Sequence, residues 1–141
     1  MYQGLNNLQA AGTRFYLRVS VAGSNDLVVT DGATVKVPAY DGYTTSFGTV
    51  MTGFFGPEVT ANSRGDVVFP ALTPSGPVLI VKRADGSDAQ VAFAGVRGPD
   101  GEWFLSLYGA GIGEQGEIVF SGLAWAGGYI RLGLYQALEN R

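Results

Sequence analysis

The chain has 141 residues, 22 of them Gly, a formal net charge of −3, and neither His nor Cys. That length is close to the usual size of one domain, so residues 1–141 are expected to form a single unit with one core. The missing residue types exclude His- or Cys-based catalysis, zinc-type metal sites and a disulfide framework, which leaves packing as the source of stability.

Along the chain the pattern is strand after strand. Phe15, Leu17, Val19 and Val21 alternate with Tyr16, Arg18 and Ser20, a period of two that predicts a half-buried strand with the four apolar residues inward. Ser24-Asn25-Asp26 supplies turn chemistry, 27–30 reads as the next strand, and Asp31-Gly32 predicts a two-residue hairpin turn into 34–37. Further strands are expected at 46–55, 67–69, 78–82, 89–96, 103–108, 118–120 and 129–134. They are separated by Gly56-Pro57, Pro74-Ser75-Gly76-Pro77, Asp85-Gly86, Pro99-Asp100-Gly101 and Gly127-Gly128. Val78-Leu79-Ile80-Val81 is apolar on both faces and marks the core of the fold. The Gly- and Ala-rich tract 109–128 is either a long exposed loop or a segment packed closely against another backbone. Short strands at this spacing, with no helical periodicity, predict an all-β, single-domain antiparallel β-sandwich or small barrel with Gly-rich loops.

Charged residues make up 15% of the chain, against about 25% in a typical soluble domain, and hydrophobic residues make up 46%. A surface so poor in charge is expected to be covered by neighbouring subunits. Lys, the residue most depleted from interface cores and most used to protect strand edges, occurs only at Lys36 and Lys82. Arg is scattered from Arg14 to Arg141 with no basic run, which argues against nucleic acid as a partner. No stretch approaches the ~20 apolar residues that cross a bilayer, so membrane insertion is not expected. The opening Met1-Tyr2-Gln3-Gly4-Leu5-Asn6-Asn7-Leu8 lacks the basic and apolar regions of a signal peptide, which predicts folding in a cytosol.

The motifs that carry chemistry elsewhere are weak here. Gly111, Gly113 and Gly116 have the spacing of a dinucleotide-binding loop, but 117–120 reads as a strand where that loop needs a helix, so a flexible loop is expected. Arg64-Gly65-Asp66 matches the integrin-binding tripeptide; Asp66 is more simply the end of a turn. Asp85 and Asp88, Asp100 and Glu102, and Glu114 and Glu117 offer carboxylates of the type Ca²⁺ uses, without an EF-hand spacing, and read as solvated turns. No acidic pair is singled out for general acid–base work, so no catalytic residue, metal site or cofactor is assigned and no enzymatic activity is expected. Most aromatic residues are assigned to the core. In Tyr40-Asp41-Gly42-Tyr43 the pattern predicts a turn with two exposed rings, suited to sugar stacking or to an interface anchor. Tyr40 and Tyr43, with Gly111 and Gly113 in the second loop, are therefore the candidate binding residues.

Four segments resemble the small all-β virion proteins of tailed bacteriophages, in particular those near the tail tip of long-tailed phages. They are Tyr2-Gln3-Gly4-Leu5, Ala10-Ala11-Gly12-Thr13, Pro77-Val78-Leu79-Ile80-Val81-Lys82 and Gly128-Tyr129-Ile130-Arg131-Leu132-Gly133-Leu134-Tyr135. The resemblance implies a structural subunit attached at the tail tip or decorating the capsid, assembled in the bacterial host cytoplasm and carried in the virion. Its partners would be other virion subunits, in a homo-oligomer or a hetero-assembly, and a host-surface glycan or protein. The alternative from the residues alone is a stand-alone carbohydrate-binding β-sandwich, with a carboxylate-based hydrolase as a third reading.

Overall fold

The computed structural model describes residues 2–54, 59–95, 101 and 103–137, with side chains from residue 8 onward. No helix occurs among the described residues. The strands are β1 (Tyr2–Ala11), β2 (Arg14–Val21), β3 (Ser24–Thr30), β4 (Val35–Tyr40), β5 (Gly53–Phe54), β6 (Thr60–Ala61), β7 (Val67–Thr73), β8 (Gly76–Lys82), β9 (Asp88–Phe93), β10 (Trp103–Ile112), β11 (Ile118–Ala126) and β12 (Tyr129–Ala137). They form three antiparallel sheets, β1-β2-β3-β4, β5-β7-β8-β9 with β6 also on β7, and β10-β11-β12.

The sheets stack in three layers because the central one is apolar on both faces. In β7 and β8, Val67, Phe69, Ala71, Val78 and Ile80 turn one way and pack with Tyr16, Leu27 and Ala39 of the first sheet. Val68, Leu79 and Val81 turn the other way and pack with Phe104, Leu107, Ile118 and Phe120 of the third. A strand covered on both sides has to be apolar at consecutive positions, as 78–81 is. Pro70, in the middle of β7, is tolerated because β6 pairs with Val67 and Val68 while β5 pairs with Ala71 and Leu72, so it falls between the two short partners. No sheet closes on itself, so the architecture is a sandwich and not the small barrel that the pattern left open.

Several expectations need correction. Strand β1 has no alternating pattern and was not predicted; it is held by pairing with β2 from Leu8 opposite Leu17 to Ala11 opposite Arg14. In β2 the apolar set is only partly buried: Val19 is 7% exposed, but Phe15 is 46% exposed, whereas Tyr16, 1% exposed, and Arg18 pack toward the central sheet. Arg18 is accommodated there over the ring of Phe54, 5.5 Å from its centroid. The connection after β3 is not a two-residue turn, since Thr30 pairs with Val35 and Asp31 Oδ1 accepts hydrogen bonds from the N–H groups of Ala33 and Thr34. Segment 46–55 is mostly turn, with strand only at Gly53–Phe54. Tract 109–128 is not a long loop: it comprises the end of β10, the 113–117 turn, β11 and the turn that follows. The close-packing alternative does hold at Gly122, where a Cβ would lie 3.1 Å from the Ser106 carbonyl oxygen. Phe55, Gly56-Pro57, Val96, Pro99-Asp100 and Glu102 lie outside the described residues.

The turn between β2 and β3 places Ala22 at φ 48° and Gly23 at φ 87°. Only Ala22 among the described non-Gly residues has a positive φ, and a Cβ is disfavoured in that region. Ala22→Gly is therefore expected to stabilise the chain by roughly 0.5–1 kcal/mol, the relief of strain exceeding the added chain entropy. A urea midpoint that falls in this variant would show the turn to be unstrained.

The outer face of the third sheet is solvent-exposed and mostly apolar, interrupted by Ser106, Ser121 and Gln136. Trp103, Trp125 and Ile130 lie side by side across its strands, and Leu123 pairs with Leu132. Trp103 is 42% exposed, Trp125 44%, Ile130 57%, Leu132 71% and Leu134 76%. Arg131, the one charged residue described in these three strands, pairs with Ala124, which belongs to the inner face. The assignment of most aromatics to the core is thus overturned in the last third of the chain, where Phe104 is buried but Trp103, Tyr108, Trp125 and Tyr129 are exposed. On the inner face Phe104, Phe120 and Tyr135 form a ring cluster with centroids 4.7–5.9 Å apart. The Tyr135 ring lies over Gly133, where a Cβ would come within 2.6 Å of the hydroxyl.

Candidate functional site: turns gathered at one end of the sandwich

Four turns share one construction. In 45–49, 62–66, 83–87 and 113–117 the first residue's N–H donates to the fifth residue's carbonyl, and the fourth residue's N–H donates to the first residue's carbonyl, at 2.8–3.2 Å. The fourth residue is Gly each time, Gly48, Gly65, Gly86 and Gly116, with φ between 84° and 99°. This is the three-residue hairpin in which a left-handed Gly forms the bulge.

Three of these turns are fastened together. Asn62 donates from Nδ2 to the Gly113 carbonyl at 3.0 Å and to Asp66 Oδ2 at 3.1 Å. The Ser63 N–H and hydroxyl donate to the Glu114 carboxylate. The Ala84 N–H donates to Asp66 Oδ1 at 3.1 Å, and the Arg83 guanidinium lies 3.4 Å from Asp66 Oδ2. A fourth turn, between β1 and β2, meets the same cluster: a Cβ on Gly12 would be 3.3 Å from that of Ser63, and Arg14 donates to the Ser63 carbonyl. One end of the molecule therefore carries loops from all three sheets on a rigid base, the usual position for recognition in a β-sandwich.

Asp66 is the hub of this end. Its side chain is 3% exposed. Burial pushes its pKa up, but hydrogen bonds from Asn62 and Ala84 and the charges of Arg83 and Arg64 outweigh that and hold the carboxyl below the usual Asp range. A carboxylate so enclosed is not presented by the Arg64-Gly65-Asp66 tripeptide, which here builds a turn.

The Tyr40-Asp41-Gly42-Tyr43 segment is a β-turn, with the Tyr43 N–H donating to the Tyr40 carbonyl at 2.9 Å and Gly42 at φ 91°. It presents one ring and not two. Tyr40 is 44% exposed, whereas Tyr43 is half-buried, its hydroxyl donating to Asp88 Oδ2 and accepting from Lys82 Nζ. The two rings meet edge to face at 5.7 Å. Asp88, whose side chain is 1% exposed, also accepts from the Ser46 N–H at 2.8 Å and lies 3.6 Å from Lys82 Nζ. Burial raises its pKa, yet the Ser46 and Tyr43 hydrogen bonds and the Lys82 charge hold it below the usual Asp range.

No family model, curated protein or solved structure matches the chain.

Gly111 and Gly113 do not form a phosphate loop. Gly111 is a strand residue of β10 opposite Val119, and Gly113 opens the 113–117 turn, which leads into strand β11 where a helix would be required. Glu117 folds its carboxylate over Gly113, in the space a Cβ would need. Tyr43 and Gly113 thus belong to structural networks, and Tyr40 and Gly111 are the exposed members of the set. Asp66, Asp88, Asp85 and Glu114 each accept from a neighbouring turn's or their own turn's donors, and among the described residues no group of three or more acidic ligands is assembled. Among the described residues no helix is long and apolar enough to cross a membrane. Sequence reasoning missed the hub role of Asn62, Ser63 and Asp66, although the recurrence of Gly at the fourth place of four turns was a usable signal.

Proposed function

We propose that this chain is a non-enzymatic structural subunit of a tailed-bacteriophage virion, attached at the tail tip or decorating the capsid. The observation that carries the reading is the outer face of β10–β12, a mostly apolar surface on which these strands place no charged side chain. Such faces larger than a few hundred Å² mark interaction sites on folded proteins. Its occupant in this reading is a neighbouring virion subunit, a second copy of the chain or another protein, because a neutral apolar face is buried at least cost against another of the same kind. Assembly would take place in the bacterial host cytoplasm, and Tyr40 and the gathered turns would be left to meet a host-surface glycan or protein.

One observation favours a second reading. Trp103 and Trp125 are cross-strand neighbours with exposed rings, a platform of the sort that stacks on sugars in carbohydrate-binding sandwiches. Electron microscopy of particles co-purified with the untagged chain separates the two. The first reading expects the chain at fixed positions on a particle. A free monomer that binds a glycan array, with binding abolished by Trp125→Ala, would replace it with the second.

A further inference from the structure

A cleft of about 360 Å³ opens between the first sheet and the 83–87 turn of the central sheet. Four of the chain's nine cationic side chains line it, Arg14, Lys36, Lys82 and Arg83, in a protein whose net charge is −3. Its floor is apolar, formed by Val29, Pro38 and Val67.

The four cations are held differently. Arg83 and Lys82 are fixed by Asp66 and Asp88, at 3.4 Å and 3.6 Å, so their positions are set and much of their charge is answered. Arg14 and Lys36 have no carboxylate partner among the described residues. Among the described residues the one carboxylate on the cleft wall, Asp85, accepts at Oδ1 from the N–H and hydroxyl of Ser87. The local balance is therefore cationic.

Tyr16 adds an independent sign. It lines the cleft, is 1% exposed, and its buried hydroxyl finds no acceptor for its proton. Arg14 lies beside it, but a guanidinium only donates, so the phenolic proton faces no acceptor. Buried polar groups are almost always paired, and an orphan at the wall of a cleft marks where a ligand atom belongs.

We propose that this cleft binds a small organic anion, with its oxyanion taken by Arg14, Lys36 and the Tyr16 hydroxyl and its apolar body laid on Val29, Pro38 and Val67. The volume is at the small end for ligand pockets, enough for an anion with one ring. The proposal does not depend on where the chain is assembled. Pro38, on the cleft wall, lies where β4 departs from regular pairing with β3, between Ala39 opposite Leu27 and Lys36 opposite Val29.

The test is an NMR titration of the full-length chain at low salt with inorganic phosphate, acetate and benzoate. Saturable shifts around Tyr16 and Lys36 are expected, with benzoate tighter than acetate and affinity falling as salt is raised. The Arg14→Ala/Lys36→Ala pair should weaken binding at least tenfold, Tyr16→Phe several-fold, and Arg131→Ala on the third sheet not at all. Lys36→Ala alone, an exposed change that keeps the fold, serves if the double variant unfolds. Absence of saturation with all three anions, or equal shifts in the Lys36 variant, would overturn the proposal.

Discussion

Replacing Leu79 with Ala is expected to lower the unfolding free energy by on the order of 2–5 kcal/mol, the cost of a core cavity lined by residues that cannot close over it. Leu79 is wholly buried in β8, between Pro70 and Ala92 on the flanking strands. It packs into the cluster that joins the central sheet to Phe104 and Leu107 of the third. Both walls of that gap are sheets held by their own backbone ladders, so neither can move in to fill the space. Urea unfolding reads the change. Leu132→Ala, on the uncovered face, should stay within about 0.5 kcal/mol in the isolated chain, since little is buried there. A loss below about 1 kcal/mol at Leu79 would mean that the central sheet is not the core.

The second large effect is expected at Asp66, where Asp66→Ala should cost on the order of 3 kcal/mol. The change strips partners from the Ala84 N–H, Asn62 and Arg83 together, and the first two are inside the turn cluster. Arg64, with a side chain 46% exposed, contributes little to that figure. The same site predicts the acid response. Because the folded carboxyl is held below its value in the unfolded chain, the unfolded state takes up protons first as pH falls. Its stabilisation is complete above the ordinary Asp value of about 3.9 and is lost as pH drops below it through the folded value. Asp88 has the same sign, so the two act in one window. Asp66→Asn, which keeps the shape, should flatten stability against pH below about pH 4. An unchanged slope would assign acid sensitivity to other groups.

The parts of this fold that were legible in the sequence are those where one physical requirement dominates. Val78 to Val81 are apolar in succession because both neighbouring sheets demand it, and Gly127-Gly128 spans a two-residue hairpin because both positions have positive φ. What was not legible shares a cause: the outside of this molecule is nearly as apolar as its inside. In β2 that blurred the reading, since Phe15, Leu17, Val19 and Val21 looked like the buried set, yet of these only Val19 is buried, while Tyr16 and Arg18 pack toward the central sheet. It also hid the exposed Trp103 and Trp125 among residues expected in the core. Strand β1 was missed because its sequence has no alternating pattern, although it pairs along β2. The turn hub and the cleft could not be seen because their members are far apart in the chain, with Arg14, Lys36 and Lys82 brought together only by the stacking of two sheets.

Each sheet is built from one continuous stretch of chain, and apart from the pairing of β5 with β7 every ladder joins strands adjacent in sequence. The loops closed in forming those ladders are short, so the entropy lost before the first contacts form is small. A sandwich wired in this way is expected to refold faster than one of equal size whose strands cross between sheets, and its three units can each zip up before they dock.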